Sequence, residues 1–176
     1  PTPVGTHARF TTLLSVAAMG VYLLVIVGAT TALTGAGEAC TTWPACNGQL
    51  VVPLDDTALL IAWGHRVVAL LVGLVVAGTV VTAWLGETTT RVRAGLSFAL
   101  LAFPAQVGLG ALIATEGATG LLPATHLTLG MSIFGAIVLA LAWTLETATA
   151  GDEDETPVRE LTQTVEDVGP APTPEL

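Results

Sequence analysis

The chain has 176 residues, 52% of them hydrophobic and only 11% charged, with a formal net charge of −9. A soluble domain carries about a quarter charged residues, so this composition cannot build a water-facing surface and excludes an ordinary soluble enzyme. Nucleic-acid binding is excluded as well, because it needs a basic patch or stripe and the chain has five arginines and no lysine. The charge is unevenly spread. Residues 1–146 hold six acids (Glu38, Asp55, Asp56, Glu87, Glu116, Glu146) against four arginines (Arg9, Arg66, Arg91, Arg93), a balance of −2. Residues 147–176 hold eight acids against Arg159 alone, a balance of −7. Acid excess without lysine suits a protein kept soluble by net charge in high salt, so a halophilic source is expected.

In chain order, a short start (1–9) ends on Arg9 and is followed by an uncharged stretch over 10–37. Further uncharged stretches cover 67–86, 94–115 and 117–145. A helix needs roughly 20 apolar residues to cross the hydrocarbon core, so the sequence predicts four transmembrane helices near 10–33, 57–85, 93–115 and 121–146. The first apolar stretch is far longer than the ~7–15 residues of a signal peptide, and no lipoprotein-type motif precedes Cys40, so it is read as a span. The expected fold class is an all-α membrane protein. A four-helix bundle at 10–146 has membrane lipid around it. A short cytoplasmic N-terminus (1–9) precedes it, and the acidic, proline-containing stretch at 147–176 reads as a disordered cytoplasmic tail.

The arginines give direction. Arg9 precedes the first helix and Arg91 and Arg93 lie in the second connection, whereas the first and third connections have no basic residue. The positive-inside rule then places both termini in the cytoplasm and the long first loop, with its cysteines, outside the cell membrane. Trp63 and Trp84 are 21 residues apart, about 31 Å along a helix, which matches two interfacial belts. Ala69, Gly73 and Ala77 recur at four-residue spacing, as in helices that approach closely in lipid.

Two histidines stand out because ionisable groups inside a bilayer are costly and usually functional. Helix 2 starts after Asp55-Asp56-Thr57, which puts His65 about 13 Å deep; His126, just after Pro123 in helix 4, lies about 8 Å deep from the same side. Each imidazole alone could satisfy an interhelical hydrogen bond. Two at matched depth favour a haem whose iron takes both as axial ligands, because zinc or copper would want further ligands that are not near that depth. Arg66 would then either pair with a haem propionate or snorkel to the headgroups. His7, a membrane away, reads as a surface residue. Cys40 and Cys46 (CTTWPAC) lie in the outer loop, where a disulfide is permitted. The pair reads as a structural staple, contributing about 2 kcal/mol in the chain-entropy account, or as a redox-active pair beside the haem.

These landmarks together resemble the haem A synthase family of membrane oxidoreductases. Its members carry a glycine-rich exit from helix 1 and a C-P-D-W-P-x-C-x-G loop. This chain has Gly28-Ala-Thr-Thr-Ala-Leu-Thr-Gly-Ala-Gly37, then Cys40-Thr-Thr-Trp-Pro-Ala-Cys46-Asn-Gly48. The family's His-Arg pair matches His65-Arg66, its glutamine- and glycine-rich third helix matches Gln106-Val-Gly-Leu-Gly110, and its helix 4 His-Leu matches His126-Leu127. Usual members have eight spans in two similar halves; this chain corresponds to one half, like the short archaeal forms. The family's arginine after helix 1 falls on Ala32, and the glutamate three residues before the helix 2 histidine, which has a part in substrate oxidation, falls on Ala62. Glu38 and Glu116 are the nearest external carboxylates.

The resemblance implies oxidation of the C8 methyl of haem O through an alcohol to the formyl group of haem A. His65 and His126 would be ligands and catalytic residues, Arg66 an anchor, haem b a cofactor, and Cys40 and Cys46 an electron route. Two copies would associate as a homodimer or higher oligomer to rebuild an eight-helix assembly, with a haem O synthase as the partner supplying substrate. A non-catalytic bis-histidine cytochrome b is the rival reading, and a haem-free oxidase assembly factor a third.

Overall fold

The computed structural model describes residues 4–168, and the side chains of residues 8–149; the side chain of His7 and residues 1–3 and 169–176 fall outside what is described. Four long helices form: α1 (Val4–Leu33), α2 (Thr57–Leu85), α3 (Thr90–Glu116) and α4 (Leu122–Val168), with a short 3-10 turn at Ala36–Ala39 after α1. Each holds a segment long and apolar enough to cross a membrane: Ala8–Leu33, Thr57–Leu85, Thr90–Glu116 and Leu122–Thr149. The four predicted spans are all present, and the protein is a multi-pass membrane protein.

Local chemistry sets the boundaries. The Asp56 side chain caps α2 by accepting from the Leu59 amide at 3.1 Å, as the acidic pair before Thr57 predicts. The Thr89 hydroxyl does the same for the Val92 amide at 3.4 Å, which starts α3 three residues earlier than the apolar pattern suggests. Pro123 sits in the first turn of α4, where its missing N–H leaves no bond unmade.

The expected disordered tail is corrected over 147–168, where α4 continues without a break to Val168. Extending a helix already packed in the bundle needs no new nucleus, and Glu, Leu, Gln and Arg in this stretch are good helix formers. Composition and net charge, on which the expectation of disorder rested, carry no information about that continuity.

The bundle is a closed ring of neighbours: α1 packs on α2, α2 on α3, α3 on α4, and α4 back on α1. Among the described residues the diagonal pairs α1–α3 and α2–α4 bring no Cα atoms within 8 Å of each other. Short turns join α2 to α3 and α3 to α4, so consecutive helices run antiparallel, and the diagonal partners α2 and α4 run the same way.

The larger core lies in one half of that ring. Leu14, Ala17, Ala18 and Val21 of α1 meet Val72, Val76, Val80 and Ala83 of α2, Val92, Leu96, Ala99 and Ala102 of α3, and Ile133, Ile137 and Ala140 of α4. These residues occupy the half nearer the α2–α3 turn. Gly73 permits the closest approach there, since a Cβ on it would lie 2.9 Å from the Phe103 ring; of the series Ala69, Gly73 and Ala77, this is the position where small size is required. Toward the opposite end, which bears the long α1–α2 loop, no residue of α1 after Val21 and none of α3 after Ala102 is buried. Pro104, inside α3, marks the change and takes one amide out of the helix ladder. Large apolar side chains such as Leu70, Leu74, Leu101 and Leu139 face outward, as a lipid-facing surface requires.

Candidate functional site

Hydroxyl groups within the spans are satisfied locally. Thr31, Thr79, Thr115, Ser132 and Thr144 each donate to the carbonyl four residues back, at 2.8–3.1 Å, which keeps polar groups paired where no water can pair them. Three buried side-chain atoms among the described residues break this pattern: Nδ1 of His65, Nδ1 of His126 and Oε1 of Gln106 have no hydrogen-bond partner. Each such atom costs about 1–3 kcal/mol, and all three lie outside the larger core, in the half nearer the α1–α2 loop.

His65 projects from α2 and His126 from α4, the diagonal pair, so they oppose each other across the ring rather than along one interface. Each ring rests on a glycine of the helix before it. A Cβ on Gly28 of α1 would lie 3.0 Å from His65 Cε1, and a Cβ on Gly110 of α3 would lie 3.2 Å from His126 Cε1. Gln106 lies one turn before Gly110 and packs its amide against Gly130, one turn after His126, where a Cβ would approach Nε2 to 2.9 Å.

This donor set suits one kind of group. No cluster of three or more His, Cys, Asp or Glu occurs among the described residues, and a protein-held zinc takes three or four such ligands. Two imidazoles on opposed helices, each with an unpartnered Nδ1, could hold a group whose metal needs only two protein ligands.

Above the histidines the α1–α2 loop is folded tightly. Cys40 and Cys46 form a disulfide with Cα atoms 5.0 Å apart, and both are buried, at 0% and 1% exposure. Asn47 and Gly48, at φ 51° and 81°, make the two-residue turn of a minimal hairpin. Its Cys46 and Gln49 exchange both backbone hydrogen bonds at 2.9 Å. The Asn47 amide donates to the Ala39 carbonyl at 2.8 Å. From α2, Trp63 Nε1 donates to the Leu50 carbonyl at 2.8 Å.

Arg66 completes the anchorage. Its Nη1 donates to the carbonyls of Thr42 (2.7 Å), Pro44 (3.3 Å) and Ala45 (3.3 Å), and its Nη2 to that of Cys40 (2.9 Å). Both terminal nitrogens therefore bind the cysteine loop, an occupant the sequence does not disclose. Arg93 plays a matching part at the other end of α2. Its Nη2 donates to the Gly86 carbonyl at 2.8 Å, its Nε to the Ala83 carbonyl at 3.3 Å, and its guanidinium lies over Trp84 at 5.7 Å.

The structure thus sets His65 and His126 on opposed helices in the half of the bundle that bears the α1–α2 loop, with Arg66 bound to the Cys40–Cys46 loop. Ala62, where a glutamate was expected from the resemblance, is 4% exposed and packs with Cys40, Cys46 and Val52. Glu38 and Glu116 are exposed at the ends of their elements. Gln106, Gly28, Gly110 and Gly130 received no separate role from sequence reasoning. The signal was present in the spacing: Gln106 and Gly110, like His126 and Gly130, are four residues apart and so share a helix face.

Comparison with known proteins adds to this geometry. The profile of the COX15-CtaA family, described as cytochrome oxidase assembly protein, matches residues 11–165. A protoheme IX farnesyltransferase of Haloarcula marismortui is 52% identical over 153 residues, covering 87% of this chain and 32% of that protein. One from Halobacterium salinarum is 47% identical, over 82% of this chain and 31% of its own length. A haem A synthase of Shouchella clausii is 35% identical over 129 residues, 70% of this chain and 42% of that enzyme. The chain therefore spans about a third of the length of the farnesyltransferases it matches and under half of the haem A synthase. No solved structure matches.

Proposed function

The chain belongs to the cytochrome oxidase assembly protein family, and on that premise we propose that it is a haem-binding unit of haem A formation. Its reaction would be oxidation of the C8 methyl of haem O, through the alcohol, to the formyl group of haem A. The observation that carries the reading is the pair of imidazoles on opposed helices, with unpartnered Nδ1 atoms, outside the larger core of the bundle. His65 and His126 would hold the iron of haem b or of the substrate haem. Bound haem supplies one-electron redox chemistry. The chain's own contribution is to ligate through two neutral imidazoles, to keep the half-bundle apolar, and to close the loop end with the structure that Arg66 and the disulfide hold in place. That loop would face outward, with both termini in the cytoplasm.

The similarity to proteins named protoheme IX farnesyltransferase supports a partner of that activity. Only about a third of those relatives matches this four-helix unit, so in them the unit accompanies a longer polypeptide. A farnesyltransferase acting on protohaem makes the substrate this unit would oxidise. Their organisms also suit the acid-rich, lysine-free composition proposed for high salt. One chain carries one histidine pair, and association of two copies would provide a second.

Ala62 favours a second reading. With an apolar side chain in the cluster where the resemblance places a glutamate, the chain would transfer electrons as a bis-histidine cytochrome b without oxidising haem O. Haem extraction from a host that makes haem O but no haem A, with and without this protein, separates the two. Haem A or its hydroxymethyl precursor is the expected product. Haem O left untouched beside bound haem b, with a farnesyltransferase co-expressed, would give the place to the cytochrome.

A further inference from the structure

The two histidines sit on different helix pairs, yet the same atoms approach the same kind of neighbour in the same order. Measured from a Cβ built on the glycine, Gly28 meets His65 at Cε1 (3.0 Å), Nδ1 (3.6 Å) and Nε2 (3.7 Å). Gly110 meets His126 at Cε1 (3.2 Å), Nδ1 (3.8 Å) and Nε2 (4.0 Å). In each case the ring lays its Cε1 edge on the backbone of the preceding helix, α1 under α2 and α3 under α4. Gly28 and Gly110 both lie in helix interiors, where glycine is a poor helix former, and both have negative φ, so no turn geometry calls for them. What calls for them is the imidazole. Other helix glycines meet other neighbours, Val72 at Gly20, Phe103 at Gly73 and Gln106 at Gly130, and Gly78 and Gly108 meet nothing within 4 Å; among the described residues an imidazole lies against Gly28 and Gly110 alone.

We propose that Gly28 and Gly110 are positioning residues, paired seats that fix the plane and depth of the His65 and His126 rings so that both can ligate one iron. The inference rests on the reading of these histidines as axial ligands. An added methyl at either seat stands closer than ordinary van der Waals contact and moves the ring by a few tenths of an ångström. Because a metal ligand's placement depends on the groups that hold its ring, that displacement loosens one of the two axial bonds while leaving the ligand itself intact.

The test compares full-length Gly28→Ala and Gly110→Ala with Gly78→Ala and Gly108→Ala, all purified from haem-replete membranes. The expected result is a low-spin, carbon-monoxide-inert haem in the wild type and the two controls. In each seat variant the low-spin electron paramagnetic resonance signal is lost or shifted and the ferrous haem binds carbon monoxide. Seat variants with the wild-type signal and no carbon monoxide binding would overturn the proposal. If a seat variant does not fold, it is combined with His65→Ala or His126→Ala, which removes the ring it strikes. Recovered folding in the double variant supports the seat, and no recovery assigns the glycine to helix packing instead and overturns it. A wild type that binds no haem sinks the ligand reading. The same double-variant cycle, read as the thermal midpoint of the haem-free protein, then decides whether glycine and ring are coupled.

Discussion

The two halves of this bundle are made from the same four helices and differ in nearly everything else. In the half nearer the α2–α3 turn, Leu14, Val76, Leu96, Ile133 and Ile137 are almost wholly buried and the helices interdigitate. In the half nearer the α1–α2 loop, the side chains that face each other include His65, Gln106 and His126, each with a buried polar atom unpartnered. The first half follows the rule for helices in lipid, where close packing rather than water exclusion drives association. The second violates it at three positions, and such violations collect at functional sites. The larger core lies at one end and the unpartnered polar atoms at the other.

The largest effect that would sharpen this contrast is on packing. Leu96→Ala removes a fully buried side chain and is expected to cost about 2–5 kcal/mol. Leu109→Ala, further along the same helix in the open half, should cost under about 1 kcal/mol. Denaturant titration in detergent, followed by far-ultraviolet circular dichroism, reads both; equal costs would erase the distinction between the halves. Next comes Arg66→Met, which strands four loop carbonyls and should destabilise the loop by roughly 1.5–3 kcal/mol. Faster amide exchange at Cys46 and Gln49, with α4 unchanged, is the expected pattern. Arg66→Lys should not restore protection, since a single ammonium lacks the planar fork that spans those carbonyls.

Burial of the cysteines makes a kinetic prediction. Thiol–disulfide exchange requires access to a sulfur, so Cys40–Cys46 should resist dithiothreitol in the folded protein and yield once it is unfolded. Rapid reduction under native conditions would favour a redox-active pair over a staple. The smallest effect concerns the packed end. Thr89→Ala removes the cap of α3 and should cost about 1 kcal/mol, with no change in the optical properties of the histidine site.

Much of this arrangement was legible in the residues. Uncharged length predicted the four spans, Asp56 and Pro123 marked two helix starts, and the matched depths of His65 and His126 singled out the pair that the bundle brings across its diagonal. What the sequence did not disclose was set by contacts between distant segments. For Arg66 the sequence offers a propionate or the headgroups, but its terminal nitrogens bind carbonyls 21–26 residues away, and a backbone acceptor has no signature in side-chain identity. The continuation of α4 to Val168 was hidden because acidic composition argues for disorder irrespective of the helix that precedes it. The seats at Gly28 and Gly110 were visible only as members of glycine-rich motifs, since their meaning depends on which ring each one faces.

The central claim is that His65 and His126 ligate one haem, and absorption and electron paramagnetic resonance spectra of the purified wild type, His65→Ala and His126→Ala test it most directly. The account predicts a low-spin bis-imidazole spectrum in the wild type, and loss of that spectrum when either histidine is removed. A wild type without haem, or a low-spin spectrum that survives both substitutions, would contradict it.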